Sequence, residues 1–440
     1  MVIVTVLAAA LTVTILEVPT SSGHKHGKAR QPSTSSALPP PPQPVWRVAW
    51  GSAMAWGHGE ASNVTVRELA TVGVGGEAVR VRISNVFGNA PLVIGAASVA
   101  VDASGAAVVP GTLQPLTFSG APGTTIPVGS YVYSDPVSMT TTDLETLAIS
   151  VYVSDTDLVS VHPCCATQRD VSFFTPNGGG NLTDSVSGAG LVVASPDPRW
   201  VDAVDVLQTT GEGSIVVVGD SITDGYNATL RWTDVLQERI DRLPPSQQRA
   251  VVNEGITANA LTSVVPTDSA TGGGPSGLAR MARDALDQSG VAEVVLFLGT
   301  NDLFFGATAQ QLITGYEQAI AEVHAAGLPI IGVTLLPREA SPEFPWSATQ
   351  ESELEQVNTW IRTSNAFDGV LDLAQAVADV YNGACQPNVM FPPYDSGDHL
   401  HPNAAGQTAM GDAVDPSVLA LSPIPQVPPL VDVTPTPGCE

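Results

Sequence analysis

The chain changes rhythm near its middle, and that change restricts its fold more than any other feature. Before Leu207 the apolar residues come in short runs, separated by Gly and Pro. In residues 78–84, AVRVRIS, strict alternation places Val79, Val81 and Ile83 on one strand face and Arg80 and Arg82 on the other. Similar runs lie at 92–94, 97–101, 130–133, 147–153 and 190–194, with no amphipathic helix between them. A strand-rich domain is expected over 46–207, a β-sandwich of jelly-roll type. From Ser214 onward the apolar runs become continuous, at 215–218, 250–252, 294–298, 329–335 and 369–373. Helix-length segments lie between and after them, at 229–242, 276–288, 309–326, 349–363 and 403–414. Strands without polar alternation, separated by helices, imply a parallel sheet covered on both faces. A second domain of α/β type is expected over 208–421.

Ligands of such sheets bind beyond the carboxyl ends of the strands. Four groups of residues stand at or near those ends. The first strand runs into Gly219, Asp220, Ser221, Ile222, Thr223, Asp224 and Gly225, the second into Asn253, Glu254, Gly255 and Ile256, and the third into Gly299, Thr300, Asn301 and Asp302. Asp398, His399, Leu400, His401 and Pro402 precede the last helix. A serine opening a helix at a sheet rim carries its hydroxyl where substrate would lie, in the positive potential of the helix start. Such a hydroxyl is a weak nucleophile until a base takes its proton, and histidine with a carboxylate behind it is the usual base. The oxyanion formed on attack needs preorganised donors; the Ser221 and Gly255 N–H groups and the Asn301 amide are candidates.

Among the seven histidines, His24 and His26 lie in the N-terminal tail, His58 and His162 in the strand-rich half, and His324 on a helix where a surface imidazole is expected. Of His399 and His401, the second is preferred as base. Asp398 lies three residues before it, so both side chains can face one way on a tight turn. Asp395 is the rival carboxylate. Asp220, Asp224 and Asp302 are expected to hold loops, and Trp232 to lie in the core. Phe304 and Phe305 either line an acyl or leaving-group pocket or simply pack.

These blocks, in this order, resemble those of the SGNH (GDSL-type) hydrolases: Gly219-Asp220-Ser221-Ile222, Gly255, Gly299-Thr300-Asn301-Asp302 and Asp398-His399-Leu400-His401. The strand-rich half, through Val79 to Gly88, is similar to the accessory domain of a bacterial subgroup that includes xylan-associated arylesterases and acyl hydrolases, as are Arg231 to Leu236 and Tyr394 to Asn403. The resemblance implies a three-layer, flavodoxin-like hydrolase domain. It makes Ser221 the nucleophile, His401 the base, Asp398 its orienting acid, and Ser221, Gly255 and Asn301 the oxyanion donors, with no metal or organic cofactor. It implies a carboxylic ester hydrolase for short-chain acyl esters, acetylated polysaccharide included. One departure stands out: Ile256, Thr257, Ala258 and Asn259 follow Gly255 where the subgroup would carry a further glycine. An acyltransferase using the same site, or a carbohydrate-binding protein with an inert hydrolase half, are the alternatives.

Charge supports this reading. With 17 Lys+Arg against 43 Asp+Glu, the net charge is −26, which disfavours nucleic acid and anionic membrane surfaces. The four blocks contain no Lys or Arg, so the expected donors are neutral and a substrate phosphate or carboxylate would need Arg231, Arg280 or Arg338. Residues 2–16 form an apolar run, short for a membrane span and suited to an export signal, though no basic residue precedes it. A secreted protein without stable membrane insertion is expected, with a short anchor as the alternative. A Pro-rich linker follows at 31–44, completing a leader and linker over 1–45, and 422–440 should form an extended tail. Cys164, Cys165, Cys385 and Cys439 make no metal-binding pattern; if oxidised, Cys385 or Cys439 should bridge to one of the adjacent pair. Asn63, Asn181 and Asn227 head glycosylation sequons.

Overall fold

Why the Arg80/Arg82 face is not solvated explains how the chain is assembled. The strand Val79–Ser84 pairs with Val201–Gln208 and Tyr131–Tyr133, and Val201–Gln208 pairs in turn with Val45–Gly51, giving a four-stranded antiparallel sheet. Val79, Val81 and Ile83 enter the core as expected. Arg82 is buried as well and makes a 2.7 Å ion pair with Asp202. Arg80 bonds Asp205 and the Ser289 hydroxyl, both at 2.8 Å. Ser289 belongs to the α/β half, which therefore covers this face of the sheet. The Val48 N–H donates to the Ser289 carbonyl (2.8 Å), and the Ser214 hydroxyl donates to the Val48 carbonyl (2.6 Å).

The computed structural model describes residues 43–156, 158–162, 171–195, 197–209, 211–263, 265–268, 272–339, 341 and 344–424, and then 426, 428–431 and 434–437. The leader and most of the linker, together with Cys164, Cys165 and Cys439, lie outside the described residues. Cys385 is disulfide-bonded. Pro42–Glu440 forms one compact unit.

A larger antiparallel sheet is built on Ala61–Thr71, Leu92–Ser104 and Thr146–Thr156, extended by Ser172–Phe174 and Val193–Ser195. Val66, Val99 and Ile149 from this sheet share one apolar core with Val48, Val81 and Val204 from the smaller one. Ala61–Thr71 shows no clean alternation because its central polar residues, Thr65, Arg67 and Glu68, are buried too. Arg67 donates to the Ser150 hydroxyl at 2.8 Å, and Glu68 accepts from the Arg199 N–H at 2.7 Å.

In the α/β half, five parallel strands stand in the order Val251–Gly255, Ser214–Gly219, Val291–Phe297, Ile330–Val333, Gly369–Leu371. By chain order this is 2-1-3-4-5, the flavodoxin-like pattern, with its switch point between the first and third strands. The helices Trp232–Ile240, Ala309–Ala325, Ala348–Thr363 and Ala404–Ala413 match the predicted segments to within a few residues. The segment predicted over 276–288 starts as a helix, Gly277–Met281, then opens into a π-helical turn, Ala282–Leu286. Among the described residues beyond 421, the chain docks rather than trailing free. Leu421 and Ile424 enter the second core, and the Asn382 N–H bonds the Thr434 carbonyl at 3.0 Å. Among the described residues, no helix is long and apolar enough to cross a membrane.

Candidate active site

Gly219, the last residue of the first parallel strand, is level with Gly255 on one side and Phe297 on the other. Three loops therefore leave the sheet at the same height around the switch point. Asp220 caps the short helix Ser221–Asp224, its Oδ1 accepting from the Ile222 N–H at 3.0 Å. That cap holds Ser221 at the helix start, where the first N–H groups have no partner inside the helix.

The loop before the last helix closes over this turn. Asp398 Oδ1 accepts the N–H groups of Leu400 (2.9 Å) and His401 (2.8 Å), and its Oδ2 accepts from His401 Nδ1 at 2.6 Å. His401 Nε2 lies 2.8 Å from Ser221 Oγ. All three residues are buried. Burial alone would raise the Asp398 pKa, but the hydrogen bond and charge of His401, with the two N–H groups, hold it well below the usual carboxylate range. His399 turns away with φ 59 and meets the rival carboxylate, Asp395, at 2.9 Å. The structure thus joins Ser221, His401 and Asp398, and leaves Asp395 and His399 paired to one side.

Gly255 does not fit the donor role expected of it. Its N–H is taken by Asn253 Oδ1 at 2.9 Å, and a Cβ at this position would lie 2.5 Å from the Asp224 backbone nitrogen. The glycine is needed for packing against the serine-bearing helix. Three residues on, Ala258 occupies the left-handed region at φ 61 and is half-buried. A glycine would fill such a position without strain, so the missing glycine after Gly255 was the sequence signal for this loop. Asn301 Nδ2 donates to the Asn259 carbonyl at 2.8 Å, which leaves its second hydrogen for another acceptor.

Sequence reasoning missed the site's supports. Asn227, read only as a sequon, takes φ 59 and donates to Asp398 Oδ2 at 3.3 Å. The Ser341 hydroxyl donates to the Asp398 carbonyl at 2.7 Å. Tyr226 and Phe344 flank the His401 ring, with centroids at 4.7 and 6.1 Å. Phe304 packs edge-on against both Phe344 and Phe305, and Phe305 is 55% exposed. An aromatic wall thus runs outward from the histidine.

The other acids hold loops, as expected. Asp302 accepts from the Leu261 and Thr262 N–H groups at 2.7 and 2.9 Å. Burial lifts the Asp220 carboxyl to about 7, with the Ile222 N–H and the Arg338 charge acting against the rise. Trp232 is fully buried, and His324 lies at the surface beside Asp368. None of the three arginines offered as anion binders is free for that role. Arg231 pairs with Asp234, and Arg280 with Asp284 and backbone carbonyls. Arg338 is buried under Thr300, 4.1 Å from the Trp346 ring centroid, and burial lowers its pKa to about 10.

The parallel sheet thus brings a serine, a histidine and an aspartate together at its switch point. Residues 217–409 match the GDSL-like Lipase/Acylhydrolase family. That stretch is the α/β half, which therefore carries a GDSL-like lipase/acylhydrolase domain, and the match supports a carboxylic ester hydrolase. Similar solved structures include a lipase/acylhydrolase from Enterococcus faecalis (25% identity, 46% of this chain and 92% of that one, TM-score 0.33). A GDSL-like lipase from Bacteroides thetaiotaomicron VPI-5482 is also similar (16% identity, 47% and 85%, TM-score 0.35). So is a mutant of an acetyl-xylooligosaccharide esterase from Geobacillus Stearmophilus (18% identity, 46% and 93%, TM-score 0.34). Comparison with curated proteins finds no match.

Proposed function

We propose that the protein hydrolyses short-chain acyl esters, acetylated polysaccharide among them, through an acyl-enzyme on Ser221. The observation that carries this reading is the hydrogen-bond chain Ser221–His401–Asp398, at 2.8 and 2.6 Å. Ser221 Oγ attacks the ester carbonyl while His401 Nε2 takes its proton, and Asp398 stabilises the imidazolium that forms. The oxyanion is held by the Ser221 N–H, the Ala258 N–H and the second Asn301 amide hydrogen, all neutral donors. The alkoxide leaves with the proton from His401. Water, deprotonated by the same ring, then cleaves the acyl-enzyme and restores the serine.

Neutral donors and arginines already engaged elsewhere favour an uncharged acyl group. The wall from Tyr226 to Phe305 offers apolar surface for a small acyl or leaving group. The strand-rich half is read as a jelly-roll-type sandwich, on its two antiparallel sheets with a shared core. The apolar run at 2–16 and the net charge of −26 support an extracellular location. The test is hydrolysis of p-nitrophenyl acetate, butyrate and palmitate by wild type and Ser221→Ala. Acetate and butyrate should turn over faster than palmitate, and Ser221→Ala should lose roughly 10³-fold or more in kcat. Equal rates for the two proteins would refute the mechanism.

A further inference from the structure

His162 comes from the strand-rich half, yet it reaches the helix that carries Ser221. It follows the strand Val159–Val161 and is 6% exposed. Its Nδ1 meets the Ala53 carbonyl at 2.8 Å and its Nε2 meets Asp224 Oδ1 at 3.2 Å. Both ring nitrogens face oxygen acceptors, so the ring bridges the two halves of the molecule.

Asp224 is the last residue of the helix that Ser221 opens. Its other oxygen, Oδ2, accepts the Thr257 N–H at 3.0 Å and the Thr257 hydroxyl at 2.6 Å. Thr257 immediately precedes Ala258, and the Asn259 carbonyl beyond it anchors the Asn301 amide at 2.8 Å. One carboxylate therefore joins the nucleophile helix to the loop of proposed oxyanion donors, and an imidazole from the other half fixes that carboxylate from behind. A second contact runs beside it. Arg283 Nη2 donates to the Met54 carbonyl at 2.7 Å and to Asp284 at 2.8 Å. Asp284 pairs with Arg280, which holds the Gly219 carbonyl (2.9 Å) and Asn259 Oδ1 (3.0 Å).

We infer that His162 is a positioning residue of the active site: through Asp224 it sets the Thr257–Asn259 loop against Ser221, so the strand-rich half completes the hydrolase site. This rests on the acyl-enzyme reading above. Donors must sit where the oxyanion forms, and displacements of about 1 Å at such positions cost up to about 10²-fold in rate. A residue that acts this way changes kcat more than substrate binding.

The test uses the full chain, p-nitrophenyl acetate, and a fluorophosphonate that titrates the nucleophile, so that kcat is expressed per reactive serine. His162→Phe should lower kcat roughly 10–100-fold with KM within about twofold. His162→Gln, whose amide can still donate to Asp224, should recover most of the loss. Thr257→Val acts through the same carboxylate, so its effect and that of His162→Phe should combine to less than their product. A His162→Phe enzyme with wild-type kcat per titrated site overturns the inference, as do losses that multiply independently. If His162→Phe does not fold, a Thr257→Val enzyme with unchanged kcat overturns it. An active Ser221→Ala protein would overturn the acyl-enzyme reading itself, whereas an inactive one beside a fully active His162→Phe protein overturns the role of His162 alone.

Discussion

Asp395 and Asp398 stand three residues apart on one loop, and their surroundings separate them. Asp398 faces His401 and takes two backbone N–H groups; Asp395 faces His399 and the Gly397 and His399 N–H groups. Under the proposed mechanism, Asp398→Ala should reduce kcat by roughly 10³-fold or more, because the imidazole loses both its orientation and its counter-charge. Asp395→Ala, measured on the same ester, should stay within about tenfold of wild type. The choice between His399 and His401 was legible in the sequence because it is a local matter: a spacing of three on a tight turn. The Asn227 contact was not, since 171 residues separate it from Asp398 and nothing local records the meeting.

At the scale of elements, the helix Ser221–Asp224 is held at its start by a buried acid. Asp220 has a folded pKa of about 7 against an ordinary value of 3.8, so between those values the folded protein binds the extra proton. Stability therefore falls as pH rises from about 4 to 7, by at most roughly 4 kcal/mol from this group. Asp220→Asn keeps an oxygen for the Ile222 N–H and cannot ionise. Its melting temperature should match wild type near pH 4 and exceed it at pH 8. Glu293, also pushed to about 7 by burial, contributes a similar decline to both proteins and cancels in the difference. A margin between the two proteins that does not grow with pH would contradict the assignment. The strand Ala61–Thr71 escaped the sequence reading for a related reason: Arg67 and Glu68 are buried with partners from other strands, which erases the alternation that marks a half-exposed strand.

For the molecule as a whole, the two halves meet through charge rather than through apolar surface alone. Arg82 and Asp202, both from the strand-rich half, are buried together, and the buried Glu254 of the α/β half lies close enough to act on the Arg82 charge, its own pKa raised by burial and by Asp284. Removing one partner of a buried pair leaves an uncompensated charge, at a cost of about 3–5 kcal/mol. Arg82→Met should lower the melting temperature sharply, and Arg82→Met with Asp202→Leu should recover much of the loss. Calorimetry should show a single transition in wild type, because unfolding either half exposes the shared charged layer. Two well-separated transitions would mean that the halves are energetically independent.

The sequence by itself determined what depends on neighbours along the chain: a parallel sheet from continuous β-branched runs, the helix segments between them, the residues at strand ends, and His401 with Asp398. Only the tertiary structure decided which groups remain available once the halves are packed. It gives the Gly255 N–H to Asn253, puts Ala258 in the left-handed region, buries Arg82, and brings His162 to Asp224 across 62 residues. The physical reason is that periodicity records which face of an element is buried against its core. It carries no record of a second body packed on the opposite face, nor of which donor a distant side chain has already satisfied.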